Sequence, residues 1–123
     1  MNDYRYYNRN PDKVEIEDCV CRAISTATTL NYPATKKLLE LSAEIYDCDT
    51  LCECCYRNLL EDILRYDRYS IDFGETVAVV ARTHPADVLI IRIDGHLTCA
   101  IYGKISDIWD CSQELVDCFW IVK

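Results

Sequence analysis

Val88-Leu89-Ile90-Ile91-Arg92-Ile93-Asp94-Gly95-His96-Leu97-Thr98-Cys99-Ala100-Ile101-Tyr102-Gly103-Lys104-Ile105-Ser106-Asp107-Ile108-Trp109 is dense in β-branched residues and interrupted only at Asp94-Gly95 and Gly103. It predicts three strands, Val88 to Ile93, Leu97 to Tyr102 and Lys104 to Trp109, with the glycines supplying the turns. A fourth strand, Val116 to Val122, follows. Together they read as an antiparallel meander.

Ahead of Pro85 the apolar residues recur at helical spacing. Val20, Ala23, Ile24 and Ala27 mark a helix opening at Cys19, with Asp18 in the N-cap position. Pro33 opens a second over Ala34 to Asp47, with Leu38, Leu41 and Ile45 as its apolar face. Leu59, Leu60, Ile63 and Leu64 suggest a third over Tyr56 to Tyr66, and a short fourth covers Glu75 to Arg82. Helices followed by strands give an α+β class, with N-terminal helices packed on one face of a C-terminal antiparallel sheet. The 123 residues, half of them hydrophobic, fit a single domain, 1–123.

The net charge of -8 argues against nucleic acid as a partner, because neutralising phosphates needs clustered Lys and Arg. No stretch reaches the roughly 20 apolar residues of a membrane span, and Met1 to Asn10 leads into no signal-peptide core. The nine cysteines are therefore expected to be reduced and mostly small buried residues. Cys48, Cys52, Cys54 and Cys55 contain one C-x-x-C, but four ligands within eight residues leave little chain to wrap a zinc tetrahedron. No metal and no cofactor is expected.

A thiol at the first turn of a helix feels the partial positive charge of unpaired backbone N–H groups, which favours thiolate. Cys19 occupies such a place, and its backbone N–H could receive an oxyanion; a second donor is not evident. A cysteine nucleophile also needs a base and a group that orients the base. Only His84 and His96 are available. His84, in Thr83-His84-Pro85, reads as a solvated surface turn, whereas His96 opens an apolar strand where a ring without a purpose would be costly. Pairing around Gly103 brings Asp107 or Asp110 back beside His96, and either could orient it. Cys21 reads as core, and Arg22 as a structural ion-pair partner. Tyr4, Tyr6 and Tyr7 could form a partner-binding patch or an edge strand.

Asp18-Cys19-Val20-Cys21-Arg22-Ala23-Ile24, Gly95-His96-Leu97-Thr98-Cys99-Ala100-Ile101, Gly103-Lys104-Ile105 and Asp107-Ile108-Trp109-Asp110 resemble a family of papain-like cysteine peptidase homologues from phages and phage-rich bacterial genomes. The Asp-Cys step is also similar to NlpC-type cell-wall peptidases. The resemblance implies a papain-like fold and a cysteine hydrolase acting on a peptide or protein substrate in the cytoplasm of a bacterial host. It makes Cys19 the nucleophile, His96 the base and Asp107 the orienting carboxylate, with Asp110 in reserve. Two departures stand out: Glu17 replaces an expected asparagine, and no glutamine precedes the cysteine, the only one being Gln113. A negative Glu17 near an oxyanion would oppose catalysis. The alternative is a catalytically degenerate papain-like protein that binds and modulates host or phage partners.

Overall fold

The computed structural model describes residues 4–11, 18–50, 52–71 and 74–123. Its core is the hairpin of β3 (Val88–Ile93) and β4 (His96–Ile101), paired antiparallel from Val88↔Ile101 to Ile93↔His96. Gly95, at φ +69, makes the turn that starts β4 at His96, one residue earlier than expected. Tyr102 and Gly103, at φ 50 and 84, make the next turn, a left-handed pair of the kind that suits the twist of a hairpin. β5 (Lys104–Asp107) then pairs antiparallel with β4.

β5 ends at Asp107 rather than Trp109. The Asp107 carboxylate accepts from the Ile108 N–H at 2.7 Å, and this local bond turns the chain out of the ladder.

The four strands are not a simple meander. β6 (Val116–Val122) returns to pair antiparallel with β3, not β5. That register buries Trp120 and Phe119 on opposite faces of the sheet, which an edge position beyond β5 would not do. The free edge of β5 is taken instead by β1 (Tyr4–Tyr6), in parallel register, so Tyr4 and Tyr6 belong to an edge strand. On the other side β2 (Asp67–Ser70), unexpected from sequence, pairs antiparallel with β6. Among the described residues the result is a mixed six-stranded sheet, ordered β1-β5-β4-β3-β6-β2. The class is α+β, as expected, but the sheet is not wholly antiparallel.

Helices cover both faces, not one. On the first face α1 (Cys19–Thr28) lies against β4, with Ile24 packed among Ile90, Leu97, Cys99 and Trp120. Residues 20 to 27 of α1 are all buried, because α2 (Tyr32–Tyr46) covers its outer side. A helix apolar all round is stable only in such a sandwich. On the second face the short α4 (Val77–Arg82), capped by Thr76, packs Val77, Val80 and Ala81 on Leu89, Ile91, Ala100 and Ile105. The fold alternates apolar residues to both sides of β3, which is why Leu89, Ile90 and Ile91 are all fully buried.

α2 begins at Tyr32, two residues early, because the Asn31 side chain caps it by accepting from the Ala34 N–H at 2.8 Å. Its buried face is also rotated from the expected one: Leu41 and Ile45 are exposed, while Thr35, Leu39 and Ser42 are buried. α3 (Glu53–Asn58) starts inside the cysteine-rich stretch and runs into a π-helical turn, Leu59–Ile63, that buries Leu59 and Leu60. Trp120, fully buried, donates from Nε1 to Glu61 Oε2 at 3.0 Å and meets the Tyr56 ring edge-on. The turn thereby ties the helical layer to the centre of the sheet.

Candidate active site

Cys19 is the first residue of α1. The N–H groups of the first turn have no partner within the helix, so they present partial positive charge to the thiol. Asp18 stands in the N-cap position as expected, but its carboxylate makes no capping bond. It forms an ion pair with Arg22 one turn on and accepts from Asn10 Nδ2 at 2.8 Å and the Tyr32 hydroxyl at 3.1 Å. Arg22 is buried and structural, and also reaches within 3.8 Å of Asp107 Oδ1. One guanidinium thus holds the start of α1 against the end of β5.

His96, at the first position of β4, projects toward that helix start. Its Nε2 lies 2.7 Å from Asp107 Oδ2, which leaves Nδ1 for the Cys19 thiol. Cys19 is hydrogen-bonded to the His96 ring and to the backbone N–H of Leu97. Burial works against the thiolate, but these two bonds and the imidazole charge outweigh it and hold the thiol below its ordinary value. Burial likewise opposes the imidazolium, yet the bonds to Asp107 and Cys19 raise His96 to about 9. Asp107, 5% exposed, is depressed despite its burial, chiefly by the hydrogen bond with His96. All three shifts run in the direction that favours a Cys19–His96–Asp107 hydrogen-bonded line.

Asp107 is fixed from behind. Its backbone carbonyl accepts from the Tyr4 hydroxyl and from the Tyr7 N–H, each at 2.9 Å, so the β1 edge strand braces the carboxylate. Asp110 does not face His96; its Oδ1 accepts from the Ser112 N–H at 3.1 Å in the turn toward β6. The Trp109 ring stands edge-on to His96 with centroids 5.0 Å apart. His84 is elsewhere and is not simply solvated. It bonds the Val80 carbonyl at 2.8 Å at the end of α4 and packs edge-on against Phe119, on the opposite face of the sheet.

A cavity of about 210 Å³ opens beside Cys19, lined by Val20, Glu53, Tyr56, Arg92, Gly95 and His96. Its charged wall is interlocked: Arg92 pairs with Glu53 at 2.9 Å and with Asp117, and its Nε donates to the Tyr56 hydroxyl at 2.9 Å. Sequence reasoning missed this wall because Glu53 and Tyr56 come from α3, whose start was placed too late. Nothing in the spacing of Trp109 shows its contact with His96. Glu17 lies outside the described residues.

Of the four clustered cysteines, Cys55 is buried and donates to the Leu39 carbonyl, whereas Cys54 is exposed. Burial and the neighbouring Cys52 and Cys54 thiols push Cys48 up to about 12. Among the described residues, a grouping of metal-ligand type occurs elsewhere: ligand atoms of His96, Asp107 and Cys111 all lie within 4.8 Å of one another. No helix among the described residues is long and apolar enough to cross a membrane.

No family model, curated protein or solved structure matches this chain.

Proposed function

We propose that the protein is a papain-like cysteine hydrolase that cleaves a peptide or amide bond through a thioester on Cys19. The observation that carries this reading is the Cys19–His96–Asp107 line, with a thiol held below its ordinary value at a helix start. A cysteine buried in the core shifts the other way, as Cys99 does here.

In the reaction the Cys19 thiolate attacks the carbonyl carbon. The oxyanion faces the backbone N–H of Cys19, and the His96 imidazolium gives its Nδ1 proton to the leaving amine as the C–N bond breaks. Water then attacks the thioester with His96 as base, releasing the acid and restoring the thiol. Asp107 keeps the ring oriented and its Nε2 proton in place throughout. The cavity at Arg92 and Glu53 has room for one side chain of the substrate next to the scissile bond.

A peptidyl vinyl sulfone, which reacts only with an activated thiolate, tests the reading. One adduct on Cys19, abolished in Cys19→Ala and strongly slowed in His96→Ala, is the expected result. Equal labelling of Cys19 and Cys54 would instead favour a non-catalytic binding protein.

A further inference from the structure

The His96–Asp107 pair has a third neighbour that the proposed hydrolysis does not use. Cys111, only 1% exposed, brings its thiol into the same 4.8 Å cluster as the His96 and Asp107 ligand atoms. Thr98 borders them from β4: its buried hydroxyl lies beside both the Asp107 carboxylate and the Cys111 thiol. A part-buried imidazole beside a buried carboxylate and a buried thiol supplies the donor types of a zinc site.

We propose that His96 Nε2, Asp107 Oδ2 and Cys111 Sγ bind a divalent zinc-class cation, which displaces the proton shared by His96 and Asp107 and switches the pair off as a base.

The charges close. A dication with one thiolate, one carboxylate and a neutral imidazole is electroneutral, so no net charge is buried. Two protons leave, one from the Cys111 thiol and one from His96 Nε2. Ligand atoms of a tetrahedral zinc stand roughly 3.2 to 3.8 Å apart, from bonds of about 2.0 to 2.3 Å. The 2.7 Å His96–Asp107 contact must therefore open by roughly 0.6 Å while Cys111 draws in. Arg22 approaches the other oxygen, Oδ1, at 3.8 Å and is already paired with Asp18, so it does not compete for Oδ2.

The consequence follows from imidazole chemistry. A neutral ring has one lone pair; with that pair on the metal at Nε2, Nδ1 carries a proton and cannot accept one from Cys19 or from water. The site differs from the four-cysteine stretch and shares no residue with it.

Cobalt(II) titration of the reduced full-length protein reads the site without any substrate, so it holds or fails independently of the hydrolase reading. One equivalent producing a thiolate-to-cobalt charge-transfer band is expected. The band should vanish in Cys111→Ser and persist in a Cys48→Ser/Cys52→Ser/Cys54→Ser variant. Affinity should fall by at least the roughly 10- to 100-fold typical of losing even a supporting partner. Should Cys111→Ser fail to fold by circular dichroism, His96→Ala at the cavity mouth carries the same test. Absence of a thiolate band, its survival in the foldable variant, or its loss in the triple variant overturns the proposal. Zinc should also slow alkylation of Cys19, with recovery on chelation; an unchanged rate at saturating zinc overturns the inhibitory part.

Discussion

Asp107 Oδ2 stands 2.7 Å from His96 Nε2, the carboxylate at the last position of β5 and the imidazole at the first position of β4. The two strand ends meet because the Tyr102-Gly103 turn folds β5 back along β4. Loss of that carboxylate charge should be felt at Cys19. Asp107→Asn can present its amide to the ring and leave the proton on the wrong nitrogen. Its iodoacetamide rate at Cys19 is expected to fall by about tenfold or more, the equivalent of about 1.4 kcal/mol or more. Asp110→Asn, which touches only the Ser112 turn, should leave the rate within twofold of wild type, about 0.4 kcal/mol. Exchange of these two outcomes would exchange the residues' roles.

Proteome-style labelling should rank the thiols. Cys19 is expected first in the folded, reduced protein, ahead of exposed Cys54, because only Cys19 combines a helix start, a bonded imidazole and a depressed thiol. Cys21, raised to about 11, and Cys111, raised to about 12, are buried and should react last. Brief alkylation followed by mass spectrometry reads the order. Modification of Cys52 or Cys55 well before Cys19 would remove the case for a nucleophile.

The pH dependence follows from the signs. Cys19 is lowered, so its alkylation should persist as pH falls below the ordinary thiol value of 9.0 and disappear only through its own depressed value. In His96→Ala the same profile should move to higher pH. His96 is raised from 6.5 to about 9, so its contribution to stability is complete below 6.5 and is lost as pH rises through about 9. Asp107 is lowered, so its contribution is present above 3.8 and is lost as pH falls through its depressed value. Urea midpoints of wild type should thus decline at both ends of the range between them, and His96→Ala should lack the alkaline decline.

The strands β3 and β6 were legible to the residue because their central runs, Leu89 to Ile91 and Cys118 to Trp120, are buried on both faces and so are apolar throughout, with Arg92 and Asp117 outside them. β2 was not, since Asp67-Arg68-Tyr69-Ser70 is an exposed edge strand held by its backbone against β6 and carries no apolar alternation. The face of α2 misled for a different reason. Thr35 and Ser42 are buried there because Thr35 bonds the Asn31 carbonyl at 3.0 Å and Ser42 the Cys55 carbonyl at 2.8 Å, so small, satisfied hydroxyls let α3 approach while Leu41 and Ile45 face outward. At the site, the order Cys, His, Asp was readable from helix start, strand start and turn. The Arg92 wall was not, because Glu53 and Tyr56 come from a distant segment, and nothing in the spacing of Cys111, just past Asp107, marks it as a neighbour of the His96–Asp107 pair.

Arg22 joins two carboxylates, Asp18 by an ion pair and Asp107, which His96 also faces, at 3.8 Å. Arg22→Met keeps much of the side-chain volume and removes the charge. Breaking a buried pair from one side costs about 3 kcal/mol, which for a chain of this size lowers the melting temperature by roughly 10 °C. Differential scanning calorimetry measures it. A change under about 2 °C would mean that Asn10 and Tyr32 satisfy Asp18 without help.

Trp109 offers the sharpest separation of site from scaffold. It is 45% exposed, so its truncation should cost little stability, well below the 3–5 kcal/mol typical of a buried tryptophan. Yet its ring stands edge-on to His96, and removing it opens the imidazole, and through it the hydrogen bond to Asp107, to water. Water competing for Nε2 and the carboxylate weakens the support that raises His96, and a less basic His96 holds less thiolate on Cys19. Trp109→Ala should therefore shift the Cys19 alkylation profile toward higher pH and slow the rate at neutral pH several-fold, while the melting temperature stays near that of wild type. Trp109→Phe, which keeps a ring in place, should recover most of the rate. Loss of stability without a shift in the alkylation profile would show that Trp109 belongs to the scaffold alone.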